Sequence, residues 1–148
     1  MKIGFTGTRN GMTEYQKEEF VKLIKSLDIT EFHHGDCIGA DMEAHDLVVI
    51  HKNNIKMFSH PSNLKFLRAY CESFIEKEKP LLERNKDIVN ETELLIACPD
   101  TYFETYFEYK RSGTWSTIRY AKNQKKKYVI IFPDGNILQN EWVKEGIK

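Results

Sequence analysis

The sequence predicts an α/β fold: a parallel sheet flanked by helices in a single domain. Three observations carry this. Apolar, strand-like runs alternate with segments of helical period, the turn-rich segments follow the strands, and no repeat or Pro/Gly/Ser-rich linker divides the chain. The length of 148 residues suits one core, so the domain is expected to span residues 1–148.

The elements follow in order. "KIGFTG" reads as a first strand and "GTRNG" as its turn. Thr13 opens a helix, with Gln16 completing a capping box. Phe20, Leu23, Ile24 and Leu27 then form an apolar stripe at helical spacing. "ITEFHHG" is a short second strand, "ADMEAHDLVVIHK" a second helix and "NIKMFSHP" a third strand. Residues 62–92 read as helix in two pieces split near Pro80. "ELLIACP" is a fourth strand with the continuous apolar run of a strand buried on both faces. "SGTWSTIRYAKNQ" starts a helix, "KYVIIFP" is a fifth strand, and residues 134–148 read as a turn and tail.

Composition narrows the function classes. Hydrophobic residues make up 41% and charged residues 30%, as in ordinary soluble globular proteins. Twenty-two basic and 22 acidic residues give zero net charge, which disfavours a nonspecific nucleic-acid binder. Cys37, Cys71 and Cys98 form no CxxC pair and read as reduced thiols. "MKIGFTGTRNG" lacks a signal-peptide layout, and "LVVI" and "YVIIF" are too short to span a bilayer. The expectation is a cytoplasmic protein with no membrane partner.

In parallel sheets of this kind ligands bind beyond the carboxyl ends of the strands. The segments that follow the strands should therefore converge on one rim. In "RSGTWST" a glycine and four hydroxyl residues stand where a helix begins, and free amides there favour an anion. Ser112, Gly113 and Thr114 would meet a phosphate, with Arg111 adding a charged fork. "TGTR" repeats the idea at the first strand's end: Gly7 permits close approach, Thr8 offers a hydroxyl and Arg9 a guanidinium. In the densely polar "HHGDCIGADMEAH", Gly35 and Gly39 shape a strand-to-helix turn and Asp36 lies within it. Asp41, in the first helical turn, can cap amides or accept from a ribose hydroxyl. A metal set of His33, Asp41 and His45 is conceivable, but no HExxH or CxxC spacing supports it, and no metal or cofactor is expected.

"LLERNKDIV" places Arg84 and Asp87 at i, i+3, the spacing of a surface ion pair. "DTYFETYFEYK" carries five aromatics. They read either as an oligomer contact, predicting a homo-oligomer, or as a lid in which Tyr102, Tyr106 and Tyr109 stack on a base.

Taken together, "IGFTGTRNGMT", "HHGDCIGADMEAH", "LERNKDIV" and "SGTWSTIRYAKNQKKKYVIIFPDG" resemble, in order, the motifs of the SLOG superfamily. That Rossmann-like group includes the Lonely Guy phosphoribohydrolases and the DNA-processing protein A of natural transformation. "GDCIGADMEAH" is similar to the latter's "SGxARGxDxxAH", with Gly35, Gly39, Asp41, Ala44 and His45 matching, and "SGTWSTIRYA" to its "SGSxxTAxxA". The resemblance implies a nucleotide at the rim, with Arg84 in the place of the arginine the hydrolases carry. It also marks a departure: Thr117 stands where those hydrolases carry a catalytic glutamate, and their diglycine is missing.

Three functions compete. The first is a binder of a nucleotide or ADP-ribose-like signal, acting as a sensor or sequestering protein in antiphage defence or its phage-encoded counterpart. The second is an N-glycosidase or transferase acting on a nucleotide, which needs a substitute carboxylate: Asp41 and Glu43 lead, with Asp36 and Glu83 behind. The third is a single-stranded DNA binder, which zero net charge disfavours. The missing glutamate ranks the first above the second.

Overall fold

A computed structural model describes residues 1–104 and 113–140. Its seven-stranded sheet has the order β4-β3-β2-β1-β5-β6-β7. The strands are β1 (Lys2–Gly7), β2 (Glu31–His34), β3 (Lys56–Ser59), β4 (Phe74–Ile75), β5 (Leu94–Cys98), β6 (Lys127–Ile131) and β7 (Ile137–Gln139). All pairs are parallel except β6 with β7. The helices are α1 (Glu14–Ser26), α2 (Ala40–His51), α3 (Leu81–Asn90) and α4 (Gly113–Asn123). The predicted α/β class is thus the observed one.

The two faces are filled by strict alternation along the strands. Leu94, Ile96 and Cys98 of β5 join the cluster that holds Ile3, Phe5 and Phe32 with Phe20, Leu23 and Ile24 of α1 and Ala44 and Val48 of α2. The intervening Leu95 and Ala97 face Ile88 and Val89 of α3 and Ala121, Trp115 and Ile118 of α4. At the centre of the first cluster Phe5 meets Phe20 edge-on, ring centroids 5.4 Å apart. The capping box at Thr13 and Gln16 forms as predicted, and the Gln16 amide also donates to the carbonyls of Pro99 and Ile131, pinning α1 to the ends of β5 and β6.

Two expectations are corrected. Residues 62–79 do not form a helix. They hold one 3-10 turn (Lys65–Leu67) and the two-residue strand β4, and only α3 is helical. The segment spends its amides on other strands and loops. Ala69 N–H donates to the Asp36 carbonyl and Glu76 N–H to that of Ser59, so tertiary pairing overrides local propensity. Residues 134–140 are not a simple tail, because β7 pairs with β6 through a tight turn with Gly135 at φ +87°. "PDGN" is a hairpin signal, which the sequence reading passed over. Residues 141–148 lie outside the described residues.

The strand order reverses at β1: the chain steps outward through β2, β3 and β4, then restarts on the other side with β5. The crevice between the carboxyl ends of β1 and β5 is therefore the topological switch point. Two glycines shape its floor. A Cβ on Gly7 would lie 2.5 Å from Ala40 Cβ, and one on Gly39, which sits at φ +93°, would lie 2.3 Å from the Arg9 carbonyl oxygen. Gly39→Ala is expected to destabilise the fold by roughly 2 kcal/mol or more, since it combines left-handed strain with a backbone clash. Urea unfolding of the variant checks this, and a midpoint equal to wild type contradicts it.

Candidate functional site

The rim begins at the β1–α1 turn. Thr8 N–H donates to the Cys98 carbonyl, and Thr8 Oγ1 donates to Asp100 Oδ2, 3.3 Å away. Asn10 Nδ2 donates to the same carboxylate oxygen, 3.0 Å away. Arg9 is exposed and has no ion-pair partner among the described residues. The next residue after Asp100, Thr101, accepts at Oγ1 from Trp115 Nε1, 2.8 Å away, which ties the β5 turn to α4. Thr8, Asp100, Thr101 and Trp115 thus connect the two predicted anion-binding turns through contiguous hydrogen-bonded neighbours.

Beneath the rim lies Arg84, which is buried. Its Nη1 donates to the carbonyls of Gly35 and of His60, the latter at 2.8 Å. Its Nε donates to Asn85 Oδ1, 2.6 Å away. The expected surface ion pair with Asp87 is corrected, because Asp87 pairs with Lys79 at 2.6 Å while Arg84 turns inward. Gly35 leaves room for the guanidinium: a Cβ there would lie 2.2 Å from Arg84 Nη1, so a larger residue would require Arg84 to move.

Asn85 is the residue the sequence reading missed. It is 8% exposed. The Arg84 bond fixes its amide so that Oδ1 faces the guanidinium, leaving Nδ2 as a donor with no partner among the described residues. Among the described residues, that Nδ2 is the atom that a Cβ built on Gly113 would meet, at 4.0 Å. The signal was present in the sequence: Arg84 and Asn85 share the buried stripe of α3 with Ile88 and Val89, two polar residues on an apolar face.

The acidic candidates separate by environment. The Asp36 carboxylate is buried and fully engaged, accepting from Arg68 Nε at 2.7 Å and from Cys71 N–H at 2.8 Å. Glu43 accepts from Met12 N–H at 2.6 Å and pairs with Lys17 at 3.2 Å, which braces the β1–α1 turn. Asp41 accepts from Cys37 N–H, 3.2 Å away, and burial pushes its carboxyl up to about 6 despite the opposing pull of Arg84. Glu83 is exposed on α3. Thr114 is buried, and the Thr117 hydroxyl donates to the Gly113 carbonyl at 2.8 Å, so no carboxylate occupies that position of α4.

The conceivable set of His33, Asp41 and His45 does not come together. His33 and His34 point to opposite faces, which takes His33 away from Asp41 and His45. His33 Nδ1 lies 2.8 Å from His60 Nε2, and its Nε2 lies 2.9 Å from Glu31 Oε1. His34 Nε2 lies 2.9 Å from His45 Nδ1, and Cys71 stands close by. Tyr102 stacks on Phe132, with centroids 6.0 Å apart. Tyr106, Tyr109, Arg111 and Ser112 lie outside the described residues.

Fold and rim together define an α/β protein of Rossmann-like architecture with a polar crevice at the strand-order reversal. No protein-family model and no curated protein matches the chain. Among solved structures it is similar to the molybdenum cofactor binding protein from the phototrophic bacterium Rippkaea orientalis. The TM-score is 0.63 at 14% identity, covering 98% of this chain and 81% of that one, so the likeness is one of fold. No helix among the described residues is long and apolar enough to cross a membrane.

The Glu31–His33–His60 chain makes a pH prediction. The Glu31 carboxylate accepts from His33 Nε2–H, so His33 Nδ1 accepts from His60 Nε2–H, while His60 Nδ1 lies 3.6 Å from Glu91 Oε2. Burial lowers the His60 pKa to about 4. The unfolded chain, with a histidine near 6.5, binds the proton more readily, so stability falls as pH drops from 6.5 towards 4. His34 is shifted the same way by burial, and Asp41 the opposite way. The His60 contribution over that window is about 3 kcal/mol. His60→Gln is expected to flatten the difference between urea midpoints at pH 7 and pH 5, and an unchanged difference contradicts the assignment.

Proposed function

We propose that this protein is a SLOG-type binder of a nucleotide or ADP-ribose-like nucleotide signal, acting as sensor or sequestering agent, including in phage defence or its evasion. The ligand's phosphate would sit at the amino end of α4, against Gly113, Thr114 and the rim residues Thr8 and Arg9. One observation carries this reading: Asn85 is oriented by Arg84 so that its Nδ2, which donates to none of the described residues, faces Gly113 at the start of α4. A donor there complements the free amides and positive dipole end of a helix start. The protein of similar fold binds a cofactor, which favours a small-molecule ligand here too.

The test is Asn85→Asp, which keeps shape and the Arg84 hydrogen bond but replaces the donor by an acceptor. A hydrogen bond to a charged group contributes about 1.5–3 kcal/mol. Affinity for ADP-ribose or AMP, measured by calorimetry, should therefore fall by roughly tenfold to a hundredfold. Undiminished binding by a folded variant refutes the site. Native mass spectrometry of freshly purified protein reads both a co-purified nucleotide and the expected homo-oligomer.

A second reading, cleavage of a nucleotide N-glycosidic bond, is favoured by Asp41. Its carboxyl, pushed to about 6, is partly protonated near neutral pH and is held beside Arg84. A positioned acid is worth about 10²–10⁴ in rate. Asp41→Asn should lower base release from a nucleotide by at least the smaller factor, read by chromatography. If wild-type protein releases no base, binding alone remains.

A further inference from the structure

A cavity of about 860 Å³ opens away from the rim, between the outer side of α2, the start of β3 and residues 69–74. It exists because the crossover from β3 to β4 contains a single 3-10 turn instead of the α-helix usual between parallel strands. Its volume lies within the roughly 300–1,000 Å³ of small-molecule sites.

The polar group at its inner wall has a defined hydrogen-bond polarity. Asp36 N–H donates to His34 Nδ1, 2.9 Å away. His34 Nδ1 is therefore bare and its Nε2 carries the proton, which it donates to His45 Nδ1, 2.9 Å away. His45 must then carry its own proton on Nε2. That nitrogen has no hydrogen-bond partner among the described residues, and His45 lines the cavity. One backbone amide thus fixes two tautomers in series and leaves an N–H donor for an occupant. The same polarity argues against a metal ion between His34, His45 and Cys71, although their ligand atoms lie within 4.8 Å of one another. His34 has no free lone pair, because its Nδ1 accepts from Asp36 N–H and its Nε2 carries the proton, and the lone pair of His45 Nδ1 is taken by His34.

The walls supply the complement. Asp46 on α2 and Glu72 on the opposite side offer two carboxylates that form no ion pair among the described residues, against the single ammonium of Lys56. Met42, Val49 and Phe74 offer apolar contact surface between them, and all three are exposed. An occupant that uses all of this needs an acceptor for His45, a donor for a carboxylate and flat apolar faces.

We propose that this cavity is a second ligand site, which takes a flat, amino-substituted nitrogen heterocycle of the nucleobase type. A ring nitrogen accepts from His45 Nε2–H, and the exocyclic amino group donates to Asp46 or Glu72. Free adenine and 2-aminopurine test it, because neither carries a phosphate for the rim. Equilibrium dialysis should show one of them binding saturably. Val49→Trp, at an exposed position of α2, should fill the cavity and weaken that binding at least tenfold without unfolding the protein. Asp46→Asn, which leaves the cavity open, should weaken it severalfold. Asn85→Asp should leave it unchanged, which separates this site from the rim. Absence of saturable binding of either base overturns the proposal, as does binding that survives Val49→Trp and disappears in Asn85→Asp. Stoichiometric Co²⁺ uptake with a thiolate charge-transfer band, abolished by Cys71→Ser, also overturns it, since the histidine lone pairs would then be free.

Discussion

The structure around the crevice depends on one buried cation. Arg84 reaches from α3 to the backbone of two strand ends, the Gly35 carbonyl beyond β2 and the His60 carbonyl beyond β3, and orients its own neighbour Asn85. A guanidinium out of water is tolerable only when its donors are engaged and a counter-charge is near. Asp41 supplies that charge, and it in turn accepts from the Cys37 amide of the loop that Arg84 holds. Cation, carboxylate and loop are mutually dependent. Gly35 is small because the cation stands where its side chain would be.

The loop between β2 and α2 also shows how one polar run can be divided between internal fastening and recognition. Asp36 turns away from the rim and secures Arg68 and Cys71. Its amide, pointing the other way, sets the protonation of His34. Gly39 lets the loop's backbone rest against that of Arg9. Most of the polarity that makes "HHGDCIGADMEAH" conspicuous is consumed in building the crevice. Among the described residues, Asn85 Nδ2 and the Arg9 guanidinium are groups left open.

Period and alternation made the central strands and all four helices legible, because their residues are chosen by burial against one sheet. The same logic failed at the edges. β4 and β7 are short and their side chains are largely exposed, so no apolar pattern marks them. Residues 62–79 carry helix-forming types, but their amides are claimed by partners distant in sequence. The site was half visible. Glycines, hydroxyls and Arg9 announced themselves by chemistry at the ends of strands. Asn85 did not, because the direction of its amide is forced by Arg84, and direction is a property of the fold.

The segment between β3 and α3 carries a mechanical consequence. Within residues 63–75 Leu67 is the one buried large apolar side chain, and the ties to the rest of the sheet are the Asp36 carboxylate, the Ser59–Ser73 hydroxyl pair, the Phe58–Phe74 ring contact, a few backbone hydrogen bonds and a two-residue strand. Such an attachment costs less to undo than the packed strands β1 and β5, whose residues fill both cores. This edge can detach as a unit while the crevice between β1 and β5 stays assembled. The molecule then has a hinged margin on a rigid plate, and amide exchange at Ala69 and Cys71 would run ahead of exchange at Phe5 and Ile96.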